Sequence, residues 1–323
     1  MVTRIKLSIM KKFLITIVAL GTLISCSKDE VVNMSKMPIA FGGTFVDDTT
    51  RALDDPSYGE GKLIDQFTAW GIVTGNVASS NLYGGDGSVV SRGGAAYGSP
   101  FNSNEQEWWI PSATYQFAAV ANHESVTLAN GLPSSITYTA NNTDLIYAQP
   151  VTVNTDDSAT PIQSTGTPYE GVNENGCVPF VFSHLLSKVY FTFVSTSQPL
   201  AVTNVQVTTG HFATGTYTIN DQQQQWSETT LASTPLIFGD ADGEVTTAGT
   251  TSQKACLIIP GQQTWNISLK QGDETKTATL TDFVFEPNKA YNILVTLQGA
   301  SQITFKVNTL EAWGAEKDVD LNF

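Results

Sequence analysis

Apolar and more polar residues alternate with a period of two along several short stretches of the chain. Val189, Phe191 and Phe193 are apolar, and the more polar residues Tyr190 and Thr192 lie between them. The same alternation recurs at residues 265–269, 291–297 and 303–307. Successive side chains of an extended strand point to opposite faces, whereas a helix would need apolar residues every three or four positions. These stretches therefore predict half-buried strands of antiparallel sheets.

Residues that favour turns separate the predicted strands. Gly272 and Asp273 stand where a two-residue hairpin turn is expected, and Pro287 with Asn288 precedes another alternating stretch. No amphipathic helix longer than a few turns is evident. Many short strands bounded by Gly, Asn, Asp and Pro predict an all-β fold built from antiparallel β-sandwiches.

Two stretches interrupt the strand pattern. Residues 81–100 are rich in glycine and predict a long surface loop, and residues 154–175 are polar and predict the approach to a domain boundary. A chain of 323 residues is long enough for two domains with separate cores. We therefore predict an N-terminal domain at residues 52–176 and a C-terminal domain at residues 177–323.

Residues 10–26 have the features of a bacterial lipoprotein export signal. Two lysines precede an apolar stretch at residues 13–24, which is too short to span a bilayer stably. The stretch ends at Leu23-Ile24-Ser25-Cys26, a pattern that signal peptidases cut before the cysteine thiol is lipidated. We predict that residues 1–25 are a signal peptide and that lipid on Cys26 holds the precursor at the outer membrane. An ordinary secretory signal with a chance cysteine is the alternative.

The chain carries 30 acidic and 16 basic residues, and four of the basic residues lie in the predicted signal. The exported part is therefore strongly acidic. An excess of negative charge disfavours binding to nucleic acid and to anionic membrane surfaces.

If Cys26 carries lipid, Cys177 and Cys256 are the remaining cysteines. They could form a disulfide in an oxidising compartment. They could equally be two separate buried thiols that pack as small apolar groups.

The sequence lacks the residue constellations of common enzymes and metal sites. The three histidines, His123, His184 and His211, are far apart, and none has the spacing of a metal-binding pair. No Gly-x-Ser-x-Gly motif and no lysine-containing phosphate loop is present. We therefore predict that the protein is not an enzyme and uses neither a metal nor a cofactor.

Trp108 and Trp109 form the one aromatic pair in the sequence that could stack on a sugar. Neighbouring residues of a strand point to opposite faces, so at most one of the two indoles can lie in the core. The pair is therefore consistent with one buried and one covered tryptophan. The alternative is a lipid-anchored glycan-binding protein.

Several segments, taken in order, resemble the fimbrillin-like proteins that build bacterial surface pili. They cover most of the chain after the signal. These segments are Ile39-Ala40-Phe41, Thr50-Arg51-Ala52, Phe67-Thr68-Ala69-Trp70, Trp108-Trp109-Ile110-Pro111, residues 115–119, residues 144–148, residues 182–189, Leu257-Ile258-Ile259-Pro260, residues 287–291 and Trp313.

The resemblance implies two transthyretin-like β-sandwich domains and assembly with other pilus subunits. In this family a protease cuts the lipoprotein precursor after an arginine, the first strand leaves, and a strand from a neighbouring subunit fills the groove. On this chain the cut would fall between Arg51 and Ala52. The propeptide would be residues 26–51, and the lost strand would lie near residues 39–46.

The C-terminal residues also alternate, which places Val319, Leu321 and Phe323 on one face of a strand. This segment could be the donor strand that enters a neighbouring subunit, or the last strand of its own domain. The chain could be a stalk subunit, or a tip, anchor or accessory fimbrillin. The sequence does not identify a receptor.

Overall fold

The computed structural model describes residues 37–45, 66–75, 78–92, 101–157, 170–173, 176–196, 198–219, 224–298 and 302–310. These residues form strands, turns and irregular segments and contain no helix, which confirms the all-β prediction. Accordingly, none of them forms a helix long and apolar enough to span a membrane.

The strands are numbered in chain order. They are β1 (Ala40–Phe45), β2 (Gln66–Gly75), β3 (Ser80–Asn81), β4 (Ser88–Arg92), β5 (Phe101–Ser103), β6 (Ala113–Ala121), β7 (Ser125–Ala129), β8 (Leu132–Thr139), β9 (Ile146–Asn154), β10 (Cys177–His184), β11 (Ser187–Ser195), β12 (Val202–Thr209), β13 (Phe212–Ile219), β14 (Gln224–Leu231), β15 (Leu236–Gly239), β16 (Thr250–Thr251), β17 (Cys256–Ile258), β18 (Gly261–Gln271), β19 (Glu274–Phe285), β20 (Ala290–Gln298) and β21 (Gln302–Leu310).

Most strands of the N-terminal half are paired in a closed ring. The order is β2-β4-β5-β1-β10-β9-β6, and β6 pairs back with β2, while β3 is attached outside the ring. The ring is a partial barrel, and its interior is filled by aromatic side chains. The largest of these, each less than 2% exposed, are Phe41, Phe101, Trp109, Tyr115, Phe117, Phe180 and Phe182.

The prediction of one long surface loop at residues 81–100 is wrong in part, because the segment contains β4. Val90 of β4 is fully buried, and β4 pairs with both β2 and β5. The glycines before it form the turn that leads into β4. Gly87 takes a φ of 71°, which favours glycine, and a side chain there would collide with the indole of Trp70.

The C-terminal half contains two facing sheets. One has the order β16-β11-β20-β21, with β17 also paired to β11, and the other has the order β15-β12-β18-β19. The alternating residues predicted as strands form their common core, as shown by Val189, Trp265 and Ile293, all 0% exposed. The predicted hairpin turn at Gly272 and Asp273 is confirmed, because it joins β18 to β19.

A fourth sheet joins the two halves of the chain, which the sequence did not predict. Its order is β14-β13-β8-β7, so β8 of the N-terminal half pairs with β13 of the C-terminal half. Under this sheet lies a separate hydrophobic group, the middle cluster, to which both halves contribute. Its fully buried members include Ala118, Tyr138 and Ile259.

The predicted domain boundary at Gly176 and Cys177 falls at the start of β10. β10 pairs with β1 over six residues and with β9 over three, so the N-terminal sheet extends to His184. Leu185 and Leu186 then enter the middle cluster. Strand pairing therefore favours a boundary at Leu185 and Leu186, and we propose this later position.

We expect Trp226→Phe to weaken the joint between the halves. The indole Nε1–H of Trp226 donates a hydrogen bond of 2.8 Å to the carbonyl of Leu185, and the ring packs on Tyr217. Phenylalanine keeps an aromatic ring but leaves that carbonyl without its donor, which costs about 1–3 kcal/mol. Chemical denaturation of the full chain measures the loss. Trp108→Phe, at an indole that is 37% exposed, is the matched control and should cost about 0.5 kcal/mol or less. Equal losses in the two variants would contradict this account.

We also expect acid to destabilise the fold through two histidines at crossings between sheets. His123 lies between β6 and β7, His211 lies between β12 and β13, and burial lowers the pKa of each. Below the unfolded-state pKa of about 6.5 the unfolded chain binds protons that the folded chain excludes. Their contribution to stability is therefore complete above about pH 6.5 and declines as the pH falls towards the lowered folded-state pKa.

The measurement is the free energy of unfolding at about pH 7.5 and about pH 5.5, on either side of the ordinary histidine pKa. The double variant His123→Gln, His211→Gln should lose less stability between these two values than the parent chain. An unchanged loss would show that these histidines are not responsible.

Candidate functional site

Six of the predicted site residues lie outside the described residues. They are Cys26, Arg51, Ala52, Val319, Leu321 and Phe323. The strand that the resemblance implies is lost, near residues 39–46, is described over most of its length. It corresponds to β1, which makes the surroundings of β1 the candidate functional site.

β1 occupies an interior position in the N-terminal sheet, between β5 and β10. It runs parallel to β10 over six residue pairs, from Ala40 with Cys177 to Phe45 with Phe182. It pairs with β5 only at Ala40 and Phe41. Among the described residues, the first part of β1 is therefore paired on both sides, whereas the last part is paired with β10 alone.

The start of β1 is held by residues 107–109, which follow β5. The Ile39 N–H donates a hydrogen bond of 2.8 Å to the Glu107 carbonyl, and the Trp109 N–H donates one of 3.2 Å to the Met37 carbonyl. Pro38 forms a bridge with Trp108 between these bonds. Backbone contacts thus fix this end of the strand without any requirement on side-chain identity.

Phe41 anchors β1 in the interior of the ring. Its ring is 0% exposed and stacks on Phe180 at 5.3 Å between centroids with an interplanar angle of 7°. Phe117 and Phe67 meet it edge-on at 5.6 Å and 6.3 Å. Burial of such a side chain and its aromatic contacts makes Phe41 the principal apolar contact of β1.

The polar groups nearest this site favour uncharged forms. Burial raises the pKa of Tyr83, whose ring contacts Phe41, and nearby Glu107 raises it further. Burial also raises the pKa of Tyr115 to about 12, although its hydroxyl accepts a hydrogen bond from the Ile110 N–H. Burial first, and then Glu105, raises the pKa of Glu107. Burial thus disfavours the charged forms of these three groups beside β1.

Trp108 and Trp109 take opposite environments, as the alternation rule predicts. Trp109 is 1% exposed and packs edge-on against Tyr115 at 4.9 Å, whereas Trp108 is 37% exposed. One accessible indole does not make a paired stacking platform. Trp108 instead lies beside the start of β1 through its bridge to Pro38.

The three histidines are not brought into one site. His184 Nδ1 lies 2.5 Å from Asp144 Oδ2, and both side chains are almost fully buried, so the pair links the segment before β9 to the end of β10. His123 contacts Thr68 Oγ1 at 3.1 Å. Within the described residues, no three side chains of the metal-binding types are grouped as a metal site.

Cys177 and Cys256 are both buried, and no disulfide joins them. Cys177 begins β10 beside β1, and Cys256 belongs to the core of the C-terminal sandwich. Burial raises the pKa of both thiols, which makes them poor nucleophiles. This arrangement corresponds to the alternative of two separate buried thiols.

The fold and the site together define an all-β protein whose first described strand completes a partial barrel. The sequence matches the model of the fimbrillin-like family over residues 50–313, and the chain belongs to that family. No curated protein sequence matches the chain significantly.

Two crystal structures are similar to this fold, and both are of candidate cell adhesion proteins. One, from Bacteroides uniformis, is 16% identical with a TM-score of 0.51, and the match covers 85% of this chain and 98% of that one. The other, from Bacteroides ovatus, is 16% identical with a TM-score of 0.53, and the match covers 88% of this chain and 100% of that one. At this identity the likeness shows a shared fold.

We expect Phe41→Ala to destabilise the uncut chain by about 3–5 kcal/mol, because it removes a buried ring that contacts four other aromatic rings. Chemical denaturation measures this loss. Val181→Ala, on the neighbouring strand at a side chain that is 44% exposed, should cost about 0.5 kcal/mol or less. A loss for Phe41→Ala as small as that of Val181→Ala would show that β1 contributes little to the fold.

Proposed function

We propose that this protein is a structural subunit of a bacterial surface pilus and that β1 is the strand it exchanges during assembly. Membership of the fimbrillin-like family supports the pilus role. The observation that carries the exchange is the position of β1, which fills the interior of a sheet although it precedes Arg51 in sequence. The family match begins at residue 50, next to this arginine, and leaves β1 outside it.

Chain connectivity makes β1 separable from the rest of the fold. β1 pairs with β5 and β10, and it does not pair with β2, the next strand along the chain. A cut after Arg51 would therefore detach β1 and no other described strand. The pairings of the ring on the far side, from β10 through β9 and β6 to β2, do not involve β1.

Loss of β1 would leave a groove that needs a replacement strand. The backbone groups of β10 that face β1 would lose their partners, and Phe67, Phe117 and Phe180 would lose the cover of Phe41. Unpaired strand edges and exposed aromatic rings favour addition of a strand from another chain. Each large apolar side chain returned to the groove contributes about 1.5–3 kcal/mol before ordering costs.

The C-terminal residues are the proposed donor. β21 lies at the edge of its sheet and pairs only with β20 among the described strands, and residues 311–323 follow it. A segment that leaves from a sheet edge can extend towards another subunit without breaking its own sheet. Val319, Leu321 and Phe323 supply three apolar side chains with the spacing of a strand face.

The proposal also covers the lipid on Cys26, the location of the protein at the outer membrane and the transthyretin-like type of its β-sandwich. Cys26 would carry palmitate or a related acyl group and hold the precursor at the outer membrane until the cut releases the subunit into the pilus. The facing sheets of the C-terminal half are consistent with a transthyretin-like sandwich. Other fimbrillins and further copies of this chain would be the partners, and no catalytic role is proposed.

An arginine-specific protease provides the test, because the chain after Cys26 contains only two arginines, Arg51 and Arg92. Arg92 ends β4 and pairs with Phe101 inside the sheet, so Arg51 is the expected cut. Digestion of the purified precursor should yield a new N-terminus at Ala52 and oligomers that resist SDS. Mass spectrometry and SDS gels without heating measure the two results.

Arg51→Lys should abolish both the cut and the oligomers, whereas Arg92→Lys should leave both unchanged. Deletion of Val319 to Phe323 should allow the cut and prevent polymers if the chain is a stalk subunit. Polymers from the deletion variant would favour a tip, anchor or accessory role. A chain that is cut at Arg51 and stays monomeric would contradict the proposed function.

A further inference from the structure

Gly42 of β1 is covered on its outer side by the side chain of Asn173. A Cβ atom placed on Gly42 would lie 3.2 Å from Asn173 Nδ2 and 3.9 Å from Cys177 Cβ. The first distance is shorter than ordinary van der Waals contact. Gly42 does not take a positive φ, so its backbone conformation is open to any residue. The absence of a side chain at residue 42 is therefore explained by the nearness of Asn173.

Asn173 is held in place by groups that do not belong to β1. Its N–H donates to the Cys177 carbonyl at 2.9 Å, its Oδ1 accepts from the Cys177 N–H at 3.0 Å, and its carbonyl accepts from the Gly176 N–H at 2.9 Å. The preceding Val172 is 8% exposed and belongs to the N-terminal core. Asn173 should therefore keep its position after β1 has left.

Gly171 ties the same segment closely to β9. Its φ is 84°, and a Cβ there would lie 2.1 Å from the Thr152 carbonyl oxygen, so the backbones are in direct contact. Residues 170–173 thus contact β9 at one end and β10 at the other. This segment, which we call the strap, crosses the outer side of the sheet beside Gly42.

The close approach of the Asn173 side chain to β1 is found at Gly42. Two residues further on, Thr44 pairs in register with Val181, whose side chain is 44% exposed. The outer surface of the sheet is thus open there.

We propose that Asn173 is a specificity-determining residue that selects which strand of a second copy can replace β1, and in which register. The accepted strand carries a large apolar residue at the place of Phe41 and a residue with no side chain, or only a methyl group, at the place of Gly42. In the C-terminal donor segment, Trp313 followed by Gly314 meets this condition, whereas Asp320 and Asn322, which separate Val319, Leu321 and Phe323, do not. A strand shifted by one residue in the direction that brings Phe41 to the place of Gly42 would put an aromatic ring against Asn173, and a shift in the other direction would leave the place of Phe41 without its ring. This inference rests on the proposed function.

Peptides that copy β1 test the selection. The receptor is the full chain cut after Arg51, and the probe is a fluorescent peptide of residues 38–45 whose binding is followed by anisotropy. Gly42→Val in the peptide should weaken binding about ten-fold or more, because the added methyl groups overpack against the strap. Gly42→Ala is the matched control, because it adds only the single methyl group that the proposal allows at this place, and it should change binding by about two-fold or less.

The reciprocal change in the receptor identifies Asn173 as the cause. Asn173→Ser shortens the side chain but keeps an oxygen that can accept the Cys177 N–H, and Asn173→Ala is a second variant that removes the polar group. Either receptor should bind the Gly42→Val peptide within about three-fold of the parent peptide. A merely structural role for Asn173 would weaken both peptides equally and leave their ratio unchanged.

The outcomes separate this inference from the proposed function. Equal binding of the parent and Gly42→Val peptides to the parent receptor would overturn the selection by Asn173 and leave strand exchange intact. A ten-fold loss that persists in both Asn173 variants would also overturn it. Failure of the cut chain to bind even the parent peptide would contradict the proposed function, and with it the selection.

Discussion

The stack of Phe41 on Phe180, inside a ring that β1 closes, is the interaction on which the N-terminal half depends. It joins the first described strand to β10, with which β1 pairs over six residues. β1 is paired on both sides at Ala40 and Phe41, so while it is present it leaves less unpaired strand edge for another chain to bind. We propose that the same contacts become a binding site for another strand if β1 is removed.

The rest of the molecule is built to persist through such a removal. β8 and β13 pair across the two halves, and the middle cluster beneath them takes side chains from both. Trp226 adds a hydrogen bond from the shared sheet to Leu185 at the proposed boundary. None of these contacts involves β1. Stability is thus divided between a part that strand exchange would disturb and a part that it would leave alone.

Local patterns predicted the strands but not how distant strands pair. The alternation at Val189 to Phe193 identified β11, and Gly272 with Asp273 identified a hairpin, because both signals lie within a few residues. The parallel pairing of β1 with β10 leaves no such signal. For that reason the predicted boundary placed Cys177 in the C-terminal domain, although β10 pairs within the N-terminal sheet, and the sheet shared by β8 and β13 was missed.

The only part of the candidate site that was predicted is the part that the family resemblance implies. The segment around Ile39 and Phe41 was identified as the strand to be lost, and its burial agrees with that role. Asn173 was missed because it lies in a polar segment whose composition indicates a linker. Its proposed role depends on its closeness to Gly42 in the folded chain, and a sequence motif does not show which distant residues come close together. The buried pair of Asp144 and His184 was missed for the same reason.

A disulfide that locks β1 in place tests the central claim most directly. Thr44 and Val181 are register partners, and adjacent strands lie about 4.8 Å apart, within the range that a disulfide can bridge. The double variant Thr44→Cys, Val181→Cys should be cut after Arg51 when oxidised but remain monomeric by light scattering, and it should assemble once a reductant is added. Val181→Cys alone should assemble under both conditions. Assembly of the oxidised, locked chain to the same extent as the reduced chain would contradict the claim that β1 must leave.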